Sequence, residues 1–86
     1  MGKAIRSLRK ELRIKQVTLA KASGFSKTYI SQIETGDRNP SYKAIEIIAK
    51  AMGISMLKMT LYAFKEDVPE NEELIHDMLN IISNYL

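Results

Sequence analysis

Three glycines, at positions 24, 36 and 53, cut a chain of 86 residues whose apolar side chains otherwise recur every three or four positions. That combination permits short helices packed across tight turns and little else. Glycine readily takes the left-handed conformation in which a helix stops, and the spacing keeps one face of each helix apolar. Ile5, Leu8 and Leu12, with Lys3, Arg6, Arg9, Lys10 and Arg13 among them, predict a first helix over residues 2–13 with a basic outer side. A second runs from Gln16 to the stop at Gly24 and turns Leu19, Ala20 and Ser23 inward. Ser26 is placed to cap a third, Lys27 to Thr35, which Gly36 closes. Ser41 caps a fourth through Met52, with Ala44, Ile45, Ile48 and Ala49 on one stripe, and Ser55 caps a fifth through about Phe64. No stretch alternates as a strand does, so the fold class is all-α.

Lys65-Glu66-Asp67-Val68-Pro69 reads as a polar linker, because proline disfavours a helix in the residue before it. The chain then divides into a domain over 1–64, a linker over 65–69 and a last amphipathic helix over 70–86. In that helix Leu74, Ile75, Met78, Leu79, Ile81, Ile82, Tyr85 and Leu86 fall within an arc of roughly 160°. His76, Asp77, Asn80 and Asn84 fall on the polar remainder. An apolar face that wide is expected to be covered, and a second copy of the chain is the preferred cover, with Leu74, Ile75, Met78, Leu79, Ile82 and Tyr85 as dimerisation residues. The competing arrangement folds this helix back on its own domain.

Composition removes several classes of function. There is no cysteine, which excludes disulfides, thiolate metal sites and thiol nucleophiles, and His76 is the only histidine. No enzyme, cofactor or metal is expected. No apolar run reaches the roughly 18 to 20 residues that span a bilayer, and the N-terminus lacks a signal-peptide pattern, so the chain reads as cytoplasmic with no membrane partner. Met52, Met56 and Met59, with Leu57, Leu61 and Phe64, read as core and interface filling. The net charge of +3 is unevenly spread. Residues 1–58 hold twelve Lys and Arg against four Asp and Glu, a net of +8, whereas residues 59–86 hold one against six, a net of −5. The first part would attract a polyanion and the second would repel it.

Within the basic part, Gln16 to Glu34 joins two short helices through a glycine-bearing turn. Ala20 is small where the third helix must cross, Gly24 makes the turn, Phe25 seals it, and Ile30 and Ile33 anchor the third helix. On a helical wheel Lys27, Ser31, Thr35, Thr28 and Gln32 spread over about 140°, and Tyr29, Ile33 and Ile30 lie on the other side. The polar face suits base edges: Gln32 can pair with adenine, Lys27 can donate to guanine, and Thr28 offers a hydroxyl and a methyl. Such a helix, set in a major groove, is how helix-turn-helix proteins read sequence. Arg38, Asn39 and Ser41 follow in a loop from which they can reach phosphate.

The run Gln16-Val-Thr-Leu-Ala-Lys-Ala-Ser-Gly-Phe-Ser-Lys-Thr-Tyr-Ile-Ser-Gln-Ile-Glu34, followed by Gly36 and Arg38-Asn39-Pro40-Ser41, resembles the phage repressor/Cro type of helix-turn-helix domain, the XRE family. The resemblance covers residues 3 to about 61 and leaves 65–86 outside it. It implies a five-helix repressor-like domain, with the 70–86 helix as an addition. The positions of Lys27, Thr28, Gln32 and Ser31 would contact bases, that of Gln16 would contact phosphate, and Arg9 would pair with Glu34 for architecture. Lys15 departs from the family's usual Thr or Ser, and without an oxygen to cap with it leaves the start of helix 2 weaker by up to about 1 kcal/mol. The implied function is a sequence-specific transcriptional regulator, a repressor binding double-stranded DNA as a homodimer on a palindromic operator. A restriction-modification controller or the antitoxin of a toxin pair would use the same domain. In a different class, the basic helices would dock an acidic protein as an interaction module.

Overall fold

The computed structural model describes residues 1–67 together with His76, Asn80 and Asn84. Among these residues there are five helices and no strand: α1 (Gly2–Glu11), α2 (Gln16–Ser23), α3 (Lys27–Thr35), α4 (Tyr42–Ala51) and α5 (Met56–Asp67). The starts of α3, α4 and α5 follow from hydroxyl capping. Ser26 Oγ accepts from the Tyr29 amide at 3.0 Å, Ser41 Oγ from Ala44 at 3.1 Å, and Ser55 Oγ from Lys58 at 3.1 Å. Each satisfies one amide that the helix itself leaves unpaired. Lys15 precedes α2 in extended conformation and offers no such bond.

α1 stops two residues before the expected Arg13. Leu12 is 39% exposed rather than buried. Arg13 takes φ +58°, the Arg13 amide donates to Lys10 O at 3.0 Å, and the Ile14 amide reaches back to Arg9 O at 2.9 Å. This is the Schellman arrangement, with arginine where glycine is usual. It turns the chain early and packs Ile14 against the core in place of Leu12. The same bonds end α4, where Gly53 holds φ +73° and the Ile54 amide donates to Ala49 O at 3.0 Å.

Ile5, Leu8, Leu19, Ile30, Ile33, Ile48 and Met59 are the large side chains buried essentially completely, so every helix contributes to one core. Met52 is buried too, and Met56 packs against that core half-exposed. Gly2 marks the tightest approach: a Cβ there would overlap the carbonyl oxygen of Ile33. The start of α1 therefore lies directly on the end of α3.

α5 continues beyond Phe64 to Asp67, so Lys65, Glu66 and Asp67 belong to its last turn and not to a linker. The Lys65 ammonium sits 6.0 Å from the centre of the Tyr62 ring, one turn back, which favours continuation. Tyr62 in turn donates its phenol proton to Glu11 Oε2 at 2.6 Å, tying α5 to α1, and the accepting carboxylate holds the phenol above its ordinary pKa. Val68 and Pro69 lie outside the described residues, as do Leu74, Ile75, Met78, Leu79, Ile82 and Tyr85. His76, Asn80 and Asn84 are helical and exposed. Among the described residues no single helix is long and apolar enough to cross a membrane.

Candidate nucleic-acid interface

α2 and α3 pack together across the turn at Gly24, which takes φ +78°, a conformation open to glycine at little cost. Leu19 and Ala20 on α2 and Ile30 and Ile33 on α3 are buried. The opposite side of α3 is left to solvent. Lys27 and Thr28 are exposed and Ser31 and Gln32 half-exposed, and together with Gln16 they line one shallow depression. Arg9, Lys15, Val17 and Lys27 border an adjoining hollow, also against Gln16. The structure thus gathers the four expected base-facing residues on one face with Gln16 at its Lys27 edge.

Arg9 and Glu34 lie beneath that face, at 8% and 5% exposure. Arg9 Nε donates to Glu34 Oε2 at 2.8 Å and Nη2 to Oε1 at 2.9 Å, a two-pronged match of guanidinium to carboxylate. Arg9 Nη1 also donates to the Ile14 carbonyl at 2.8 Å. The pair is buried, so the small contribution of about 0 to 1 kcal/mol typical of an exposed pair does not apply here. Gln16 Nε2 completes the set by donating to Glu34 Oε1 at 3.0 Å. One amide proton of Gln16 is therefore directed inward, a bond the sequence did not announce, and the amide retains a second N–H.

Arg38 and Asn39 are exposed in the loop after α3 and line a groove with residues 1–3 and 33–36. Ser41 is exposed, but its hydroxyl oxygen accepts from the Ala44 amide, leaving its proton as the group available to a ligand. Two further residues on this side escaped the sequence reading. Val17 is 45% exposed at the edge of the α3 face, and no periodicity singles out one exposed valine. Tyr29 lies under the Arg38 guanidinium, 5.5 Å from carbon to ring centre, a contact between residues that only the turn at Gly36 brings together. Among the described residues no group of three or more His, Cys, Asp or Glu is placed to hold a metal ion.

Residues 5–59, more than half of the chain, match the helix-turn-helix family HTH_3. The chain belongs to this family. It is a DNA-binding transcriptional regulator of the helix-turn-helix type. Among its relatives is the ImmF control region 10 kDa protein of Bacillus phage phi105, 44% identical over 62 residues that cover 70% of this chain and 69% of the relative. The immunity repressor protein of the same phage is 38% identical over 56 residues, 65% of this chain but only 39% of that longer protein. The crystal structure of the restriction-modification controller protein C.Esp1396I superposes with a TM-score of 0.73 at 33% identity, covering 78% of this chain and 86% of the controller. That of C.AhdI from Aeromonas hydrophila gives 0.64 at 34% identity, covering 67% and 88%.

The Arg9–Glu34 pair generates a prediction about stability. Glu34→Ala leaves a buried guanidinium without its counter-charge and is expected to cost about 3 to 5 kcal/mol in urea-induced unfolding. Replacing both partners, Arg9→Met with Glu34→Leu, is expected to cost far less. Equal losses in the two proteins would contradict the reading that the unpaired charge is what destabilises.

Proposed function

We propose that this regulator represses transcription as a cytoplasmic homodimer that occupies a palindromic operator. The observation that carries the reading is the α3 face: Lys27, Thr28, Ser31 and Gln32 open to solvent on a helix whose other side is locked in the core. Laid in a major groove, Gln32 would read adenine, Lys27 guanine, and Thr28 a neighbouring base, with Ser31 adding a hydroxyl. Gln16, Arg38, Asn39 and Ser41 would hold phosphates on either side, setting register without reading sequence. The basic stretch 1–58 supplies the attraction, and binding would weaken steeply with salt as counterions are released.

A pair of such units would place two α3 helices about 34 Å apart, one turn of duplex. The apolar residues Leu74, Ile75, Met78, Leu79, Ile82 and Tyr85 would join the pair, with help from the half-exposed Leu57, Leu61 and Phe64 of α5. The phage immunity relatives favour repression of a phage-type operator. A restriction-modification controller is the second reading, favoured by the two superposed controllers and by the control protein C.SmaI of Serratia marcescens, 34% identical over 59 residues.

Gln32→Ala is expected to cost about 1 to 3 kcal/mol on the preferred site and to relax one base position, whereas Arg38→Ala weakens binding to all duplexes alike. Equal effects of Gln32→Ala on preferred and random duplex would remove base reading from that residue. In analytical ultracentrifugation a chain ending at Asp67 is expected to sediment as a monomer under conditions where the full chain is dimeric. Undiminished dimerisation of the shortened chain would take residues 70–86 out of the interface.

A further inference from the structure

We infer that Tyr29 is a positioning residue for DNA binding, whose ring face holds the Arg38 guanidinium at the Gln32 edge of α3 for a backbone phosphate. The inference deepens the DNA-binding reading and rests on it. The guanidinium carbon lies 5.5 Å from the Tyr29 ring centre, within the range in which a cation is drawn to the negative face of an aromatic ring. Among the described residues no carboxylate pairs with Arg38; the salt bridges join Arg9 to Glu34 and Lys43 to Glu46, and Asp37, its chain neighbour, accepts from Thr35 Oγ1 at 3.1 Å. The charge of Arg38 is thus held in place without being neutralised, which is the condition an anion-binding arginine needs.

Tyr29 is held at both its ring and its backbone. Phe25, in the turn before α3, meets it edge-on with centres 4.8 Å apart and planes at 65°. The Tyr29 amide donates to the Ser26 hydroxyl oxygen at 3.0 Å, which fixes its backbone in the first turn of α3. The loop is fixed as well, because the Arg38 amide donates to the Gln32 carbonyl at 3.2 Å. Backbone and side chain of Arg38 are therefore both referred to α3, three residues apart at Tyr29 and Gln32, about 60° from one another around the helix. Across α3, at the Lys27 edge, Gln16 is held in the same manner by Glu34. The base-reading face is bracketed by two donors, each oriented by a side chain of the reading helix, so the helix and its phosphate contacts move as one unit.

The test replaces Tyr29 by phenylalanine and then by phenylalanines carrying successively more ring fluorines, which keep the ring's shape while removing its negative face. Binding of the full chain to a random-sequence duplex is measured at fixed salt, and thermal unfolding is followed in parallel. Taking Tyr29→Phe as the reference, the fluorinated series is expected to weaken progressively to about two- to fivefold. The same series in an Arg38→Ala background is expected to be flat. A flat series in the parent background, an unchanged slope in the Arg38→Ala background, or affinities that follow melting temperature rather than ring fluorination would each overturn the assignment while leaving DNA binding intact. Failure of the unsubstituted protein to bind the duplex would overturn the DNA-binding reading and this inference together.

Discussion

The carboxylate of Glu34 is the point on which the rest of the structure depends. It lies in the last turn of α3, is 5% exposed, and accepts from Arg9 of α1 and Gln16 of α2, while Arg9 reaches on to the Ile14 carbonyl. A buried charge is tolerable only with this many donors, and the requirement fixes three helices in one relation. Apolar packing alone would allow α3 to slide or rotate over Ile30 and Ile33, since hydrophobic contacts have no direction. The two-pronged guanidinium bond does have direction, and it sets which face of α3 is presented to solvent.

Function follows from that fixed orientation combined with charge. The stretch that includes α3 carries the net positive charge of the chain, and the solvent-facing side of α3 carries one lysine among hydrogen-bonding neutral groups. Lysines and arginines surrounding such a face would attract any duplex, and we propose that the amide of Gln32 and the hydroxyl of Thr28 give different energies with different bases. On the proposed reading affinity and discrimination reside in different residues, and Gln16 and Arg38, proposed to contact phosphate, are both held by side chains of α3 itself.

Much of this was legible in the sequence because it is local. Ser26, Ser41 and Ser55 mark helix starts by side-chain chemistry, and Gly24, Gly36 and Gly53 mark stops by backbone permissiveness. The early end of α1 was not legible, since nothing in an arginine announces that Arg13 will take a left-handed conformation; Ile14 displaced Leu12 from the core as a result. The continuation of α5 was hidden for a related reason: Lys65, Glu66 and Asp67 look like linker by polarity, and the Tyr62 contact that favours the last turn is a matter of three-dimensional reach. At the interface, the polar face of α3 followed from periodicity alone. The Gln16–Glu34 bond, the Tyr29–Arg38 contact and the fit of Gly2 against Ile33 join residues 18, 9 and 31 positions apart, and no pattern in one sequence encodes such distances.

The central claim is that α3 reads base sequence and that two copies read it together. Repeated selection of random duplexes by the full chain, followed by sequencing, tests both parts at once. Enrichment of a motif with twofold symmetry and half-site centres about one helical turn apart is the expected result. Recovery of duplexes with no shared motif, at undiminished affinity, would contradict the claim.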